Sequence, residues 1–251
     1  MNATILKATM AQCRAELLRT FRNKRFIFFS IVMPVAFYFL FTSTMGSDTK
    51  IGSVDWTSYY LMSMTVYGVI GASLTSFAQR ISRERTQGWV RLLSITPLPS
   101  WSYMVSKVAA QGVINLFIIL MMFIIGGLGK QVDLPVSVWI ESFLWIWIGG
   151  FSFMALGTLL GSMRNPDVVQ VLTMILYMGL SILGGLWFPT ASMSGTLQTI
   201  AKFTPTYRLG QGAWNLIGGG SIDWTGVLIL AVYVVVFVIL SSYIIKRQEA
   251  V

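Results

Sequence analysis

The sequence predicts an all-α polytopic membrane protein with six transmembrane helices. Of its 251 residues, 55% are hydrophobic and only 11% are charged, against about 25% charged residues in soluble domains. Apolar runs recur that are long enough for a helix to cross a bilayer, which takes about 20 residues, and they lack the alternating polarity of barrel strands. We predict one transmembrane domain over 1–251, with spans at 26–45, 57–79, 105–129, 139–162, 168–187 and 224–245.

The placement of basic residues predicts the orientation. Of the 18 Lys and Arg residues, 14 fall in the N-terminal segment, the second and fourth loops and the C-terminal tail. The other four are Lys50, Lys130, Lys202 and Arg208. Because Lys and Arg accumulate on the cytoplasmic side, we expect a multi-pass protein of the cell membrane with both termini in the cytosol. The net charge of +9 then reflects topology, and we expect no nucleic-acid partner.

Several residue types that carry chemistry are missing. The chain has no His and one Cys, which excludes disulfide frameworks and disfavours zinc sites and His-based catalysis. It has no G-x-x-x-x-G-K-[ST] phosphate loop, since Ile124 stands where the first glycine before Gly129-Lys130 would fall. The span centres lack Asp, Glu, Lys and Arg, which argues against ion-coupled transport. We therefore expect no catalytic residue, bound metal or bound cofactor on this chain.

An amphipathic basic helix is predicted over 5–25, ahead of the first span. Its apolar residues recur at helical spacing and are Leu6, Met10, Cys13, Leu17 and Phe21. Its basic residues Arg14, Arg22 and Arg25 suit an interface with anionic membrane lipid. Two interpretations stay open: a topology anchor only, or a helix that also touches a cytosolic partner.

The second cytosolic loop, 80–100, is longer than a plain connector. It carries charges and a short apolar patch formed by Trp89, Val90, Leu92 and Leu93. Pro97 and Pro99 disfavour helix in the residues before them, so we predict a short helix that ends near Ile95. An exposed apolar patch on such a helix favours docking of a partner; the alternative is a helix that rests on lipid.

The order of these features resembles the permease subunits of type-2 ABC exporters, the ABC-2 permeases. That family carries a glutamate, a glycine, leucines and a proline after the second span, and here they stand as Glu84, Gly88, Leu92-Leu93 and Pro97. The short fourth loop 162–167, the N-terminal helix and the long fifth external loop are also similar. The resemblance covers nearly the whole chain.

The resemblance implies a function in ATP-driven export. The loop 80–100 would hold a coupling helix for a separate ABC ATPase, present in two copies with its ATP and Mg. The implied coupling residues are Glu84, Arg85, Gly88, Trp89, Arg91, Leu92, Leu93 and Pro97. A second permease subunit, identical or a paralogue, would complete a dimer, and 188–223 would form re-entrant helices outside. The cargo would be a drug, an antibiotic peptide or a lipid-like molecule, exported by alternating access. By itself the chain would not be an enzyme.

Polar residues within the spans allow two interpretations, hydrogen bonding between helices or lining of a substrate pathway. In spans two and five they include Thr65, Tyr67, Ser73, Thr173 and Tyr177. The pairs Gly157-x-x-x-Gly161 and Ser181-x-x-x-Gly185 predict close helix packing. The rival class of protein is a membrane scaffold or sensor-linked protein that docks a cytosolic partner through 80–100 without transporting anything.

Overall fold

The computed structural model describes residues 2–44, 50–52, 54–95 and 99–249, and most of them are helical. A two-stranded antiparallel hairpin (β1, Lys50–Ile51; β2, Val54–Asp55) precedes helix α3 (Trp56–Gly71). A π-helical segment, Ala72–Ser76, joins α3 to α4 (Phe77–Thr86) without a break. The α-helices are α1 (Asn2–Arg22), α2 (Lys24–Thr44), α3 (Trp56–Gly71), α4 (Phe77–Thr86), α5 (Trp89–Ser94), α6 (Ser100–Gly129), α7 (Val136–Gly161), α8 (Pro166–Leu183), α9 (Gly195–Ala201), α10 (Pro205–Ile217) and α11 (Trp224–Glu249).

Six helical stretches of the described chain are long and apolar enough to cross a membrane, which confirms the predicted fold class. They are Phe26–Thr44, Trp56–Thr86, Trp101–Gly129, Val136–Gly161, Pro166–Leu183 and Trp224–Arg247. We call one end of the bundle the basic end. It holds the α1–α2 junction, α5, the start of α6, the α7–α8 turn and the end of α11. It carries most of the arginines.

The second membrane helix forms the centre of the bundle. Nearly every residue of α3 is buried, and the helix packs against α2, α6, α7 and α10. By contrast, α8 and α11 bury few of their apolar side chains within the subunit. These two helices therefore present apolar faces suited to lipid or another membrane protein.

Small residues on α7 permit close helix approach in this core. A Cβ atom on Gly157 would overlap the backbone carbonyl oxygen of Ser73, and one on Gly161 would come within 2.9 Å of the carbonyl oxygen of Ala78. This confirms the packing role predicted for the Gly157-x-x-x-Gly161 pair. The second pair does not act this way, because Gly185 lies beyond the end of α8 in a turn with φ +80°.

Two boundaries differ from the sequence-based prediction. The second span does not give way to a loop at residue 80, since the helix continues through α4 to Thr86. Its polar residues are tolerated there because α1, α6 and α7 cover them. The fifth span ends at Leu183 and not at 187; Tyr59 and Tyr60 donate hydrogen bonds to the carbonyl oxygens of Gly185 and Trp187 and hold the turn against α3.

The segment 188–223 folds into three short helical elements. A 3₁₀ turn at Thr190–Ser192 is followed by α9 and α10. Helix α10 is mostly buried: Trp214 stacks on Tyr59 with ring centroids 4.7 Å apart and donates to Ser63 Oγ at 3.0 Å. Helix α9 instead exposes Leu197 and Ile200. Helix α10 thus packs into the core, whereas α9 contributes Ala201 to it. A re-entrant position in a membrane stays a prediction.

Candidate functional site

A short apolar surface projects from the basic end on α5. Trp89, Leu92 and Ile95 are 44%, 56% and 81% exposed, and together they are called the α5 patch. Gln87 and Gly88 turn the chain out of α4, and Gly88 has φ +75°, a conformation that costs little only for glycine. The turn sets the direction of α5 relative to the second membrane helix.

Beneath this turn, Glu84 is buried in a cluster of charged side chains. Lys107 Nζ contacts its two carboxylate oxygens at 2.7 and 2.9 Å. Arg19 Nη1 lies 2.7 Å from Oε1, and the Tyr103 hydroxyl donates to Oε2 at 2.9 Å. Lys107 also pairs with Glu16 at 2.9 Å. We call these five residues the buried ion cluster; it ties α1, α4 and α6 together at the base of α5.

The cluster corrects the role expected for Glu84. The sequence suggested that this carboxylate contacts a partner, but it is only 2% exposed and its oxygens are already bonded within the subunit. Glu84 therefore contacts α1 and α6 within the subunit, just before the α4–α5 turn. The apolar part of the predicted coupling surface, by contrast, is exposed as expected for Trp89 and Leu92.

The other predicted coupling and interface residues fall in several environments. Arg85 and Leu93 are half-buried and have partners within the subunit. Arg14 and Arg22 are exposed on α1, on which the apolar Leu6, Met10 and Phe21 also face outward. The side chains of Arg25 and Arg91, and all of Pro97, lie outside the described residues.

A chain of polar side chains leads from the basic end toward the middle of the bundle. The guanidinium of Arg80 donates to Thr20 Oγ1 and to Gln111 Oε1. Gln111 Nε2 donates to Asn115 Oδ1 at 3.0 Å, and Asn115 Nδ2 donates to Ser73 Oγ at 2.9 Å. Ser73 lies in the π-helical segment. Such segments are frequent at functional sites, and this one ends at a groove.

The groove lies between α2, the second membrane helix and α8, with a volume of about 890 Å³. That volume is within the range of small-molecule sites, about 300–1,000 Å³. Tyr67 and Tyr177 stack in its wall with ring centroids 4.5 Å apart, and the Tyr177 hydroxyl donates to the Tyr67 carbonyl at 3.2 Å. Its lining, mainly apolar and aromatic, includes Phe26, Met33, Phe37, Met174, Met178 and Trp187. We call it the aromatic groove.

Of the five predicted pathway residues, only two reach this groove. Tyr67 and Tyr177 line it. Thr65, Ser73 and Thr173 do not line it, because each is fully buried, and their place in a pathway stays a prediction. Their hydroxyls bond instead to the carbonyl of Leu61, the side chain of Asn115 and the carbonyl of Gln170. These three residues stabilise helix geometry and helix contacts.

The sequence reasoning missed Glu16, Tyr103 and Lys107 as members of the site. A signal was present: Glu16 is the one acidic residue in an otherwise basic N-terminal segment, and Lys107 is a lone cation at the start of a long apolar run. Charges in such positions are costly without a partner. Their pairing followed only from the packing of α1 on α6.

Comparisons with known proteins agree with this architecture and place it in a family. Residues 49–243 match the family described as ABC-2 family transporter protein. The chain is also 40% identical over 240 residues, 96% of this chain and 98% of the relative, to "Putative transport permease YvfS" of Bacillus subtilis (strain 168). The chain belongs to the ABC-2 transporter family. It is a membrane-spanning transport permease, and membership implies association with an ABC ATPase.

Proposed function

We propose that this permease is half of the membrane domain of an ATP-driven exporter that moves a hydrophobic or amphipathic molecule out of the cell. The observation that carries the proposal is the α5 patch, held on a glycine turn above the buried ion cluster. Two copies of the permease, or one copy and a paralogue, would pair with two ATPase subunits. ATP and Mg would bind to those subunits, since this sequence has no phosphate loop.

The basic end would face the cytosol, as its Lys and Arg content favours. An ATPase groove that takes up Trp89, Leu92 and Ile95 would gain its docking free energy from apolar burial. Motion of the ATPase pair would then reach the bundle through the α4–α5 turn. Because α4 continues into α3 through the π-helical segment, a tilt of α5 would act directly on the wall of the aromatic groove. This supports rigid-body alternating access.

Two variants separate docking from positioning. Leu92→Ala removes apolar surface that docking would bury. Full burial of a leucine side chain contributes about 2–3 kcal/mol, so the affinity for the ATPase should fall by at most roughly 100-fold. Glu84→Gln leaves the patch intact but disturbs the turn that orients it. Both should reduce co-purification of the ATPase and ATP hydrolysis stimulated by the permease. Leu228→Ala, on the exposed face of α11, is the matched control.

Normal co-purification by a Trp89→Ala, Leu92→Ala, Ile95→Ala triple variant would refute the docking assignment. Co-purification of a protein without a phosphate loop through the same patch would favour the scaffold alternative.

A further inference from the structure

A second cavity adjoins the aromatic groove at the basic end, and its lining is basic and polar. It has a volume of about 310 Å³ and is lined by Arg19, Thr20, Asn23, Phe26, Ser76, Gln79, Arg80, Arg83 and Gln87. Asn23, Phe26, Ser76 and Gln79 line both cavities. The two cavities therefore share a wall, with apolar and aromatic side chains on one side and three arginines on the other. We call the smaller one the arginine pocket.

The described chain leaves a surplus of positive charge at the arginine pocket: its three arginines and the neighbouring Lys107 stand against two nearby carboxylates, Glu16 and Glu84. Of its three arginines, only Arg19 makes an ion pair there, with Glu84. The partners of the Arg80 guanidinium, Thr20 and Gln111, are neutral. Its Nε is buried and has no hydrogen-bond partner among the described residues. Arg83 is exposed at the rim and pairs with no described carboxylate within 4 Å.

Arg80 is partly covered, and Glu16 and Glu84 act on it only from beyond 4 Å. An anion in the pocket would supply the direct counter-charge that a covered guanidinium favours. The planar guanidinium matches phosphate with two parallel hydrogen bonds, and basic pockets between membrane helices suit lipid head groups. Arg80 also lies over the rings of Phe26 and Phe77, at 5.7 and 6.0 Å from their centroids. These rings hold the guanidinium in place at the wall between the two cavities.

We propose that the two cavities form one binding site for a phosphate-bearing amphiphile. Its anionic head would bind Arg80 and Arg83, with Arg19 shared between the ligand and Glu84. Its apolar chain would lie in the aromatic groove beside Tyr67 and Tyr177. The head would then stand at the depth of the lipid head groups at the basic end. This proposal rests on the proposed function, because it takes the site to be the place where cargo enters the exporter.

Binding is tested on the purified full-length permease in phosphatidylcholine nanodiscs. A fluorophore on Met178→Cys, in a Cys13→Ser background, reports on the groove, and one on Leu228→Cys reports on the exposed face of α11. Phosphatidic acid with a nitroxide on its tail is titrated against phosphatidylcholine with the same labelled tail. We expect quenching at position 178 to reach half-saturation at a mole fraction of phosphatidic acid about tenfold lower than that of phosphatidylcholine. A tenfold preference corresponds to about one charge-assisted hydrogen bond. Position 228 should show no such preference.

Charge variants and a competitor define the head-group site. Arg83→Gln, at the exposed rim, should remove most of the preference without affecting folding, and Arg80→Gln should remove it as well. Arg22→Gln is the matched control, because Arg22 is exposed at the same end but does not line the pocket. Inorganic phosphate at millimolar concentration should displace the labelled lipid only weakly, since it lacks the chain.

Equal half-saturation for the two lipids, or a preference that survives both Arg83→Gln and Arg80→Gln, would overturn the proposal. Full displacement by inorganic phosphate would show a site for free phosphate and would also overturn it. The ATPase is absent from this assay, so failure of the ligand proposal can be distinguished from failure of the proposed exporter function. If the permease shows no lipid selectivity but still docks the ATPase through α5, only the ligand assignment fails. If it binds phosphatidic acid selectively but does not dock the ATPase through α5, the ligand site stands and the exporter mechanism fails.

Discussion

Lys107 on α6 contacts both carboxylate oxygens of Glu84 on α4, and each side chain is only 2% exposed. The pair joins two membrane helices just below the turn into α5. A buried charge is costly alone and tolerated when paired, and here Glu16 and Arg19 complete the pairing of Lys107 and Glu84. The ATPase-facing surface proposed for α5 thus depends on a contact inside the permease.

Removal of one member of this pair should destabilise the fold strongly. We expect Lys107→Met to lower the free energy of unfolding by about 3–5 kcal/mol, because it leaves the buried Glu16 carboxylate without its cation. Glu84→Gln should lower it by less, because Lys107 still pairs with Glu16. The double variant should lose clearly less than the sum of the two, which identifies direct coupling. The measurement is SDS-induced unfolding in mixed micelles, with exposed Arg14→Gln as control. Additive losses would contradict the pairing.

Packing of α7 on the π-helical segment gives a second expectation. Gly157→Ala should destabilise the protein by about 1–3 kcal/mol, the usual cost of overpacking, since its Cβ would overlap the backbone of Ser73. Gly179→Ala on α8 is the control, because no atom lies within 4 Å of its Cβ position. We expect it to be neutral or slightly stabilising, as alanine favours helix. Similar unfolding midpoints for the two variants would argue against this contact.

The reactivity of Cys13 supplies a test by pH. Burial, with a smaller contribution from the charge of Glu16, raises the pKa of this thiol. The thiolate is the reactive form, so the rate of maleimide labelling should rise with pH to a midpoint above that of an exposed cysteine. Ser192→Cys in a Cys13→Ser background provides the exposed reference. Coincident pH profiles would mean that the packing of α1 on α6 does not cover Cys13.

Much of the fold followed from the hydrophobic pattern, and the site followed less. Uncharged runs of bilayer length predicted the six membrane helices, because a helix pairs all the backbone N–H and C=O groups of such a run by hydrogen bonds within lipid. The extension of the second helix to Thr86 could not be predicted, since residues 80–86 look solvated until α1 and Lys107 cover them. The burial of Glu84 has the same cause. Its partners Glu16, Arg19 and Lys107 lie far away in sequence, and no local periodicity reports them.

The orientation of the bundle can be tested by labelling. In a Cys13→Ser background, Gln87→Cys in the α4–α5 turn should resist an impermeant maleimide added outside intact cells, whereas Ser192→Cys should react. Both native residues are exposed, so access and not burial decides the outcome. Permeabilised cells should label both positions, which shows that each thiol is reactive. Labelling of position 87 in intact cells, with 192 protected, would invert the topology.

The most direct test of the account is a photo-cross-link from the α5 patch in native membranes. A benzoylphenylalanine at Leu92 should form an adduct with an ABC ATPase that carries a phosphate loop, identified by mass spectrometry of the cross-linked peptide. The same probe at Leu228, on the exposed face of α11, should form no such adduct, and Glu84→Gln should weaken the one at 92. Adducts at position 92 with lipid alone, or only with proteins that lack a phosphate loop, would contradict the claim that this surface couples the permease to ATP hydrolysis.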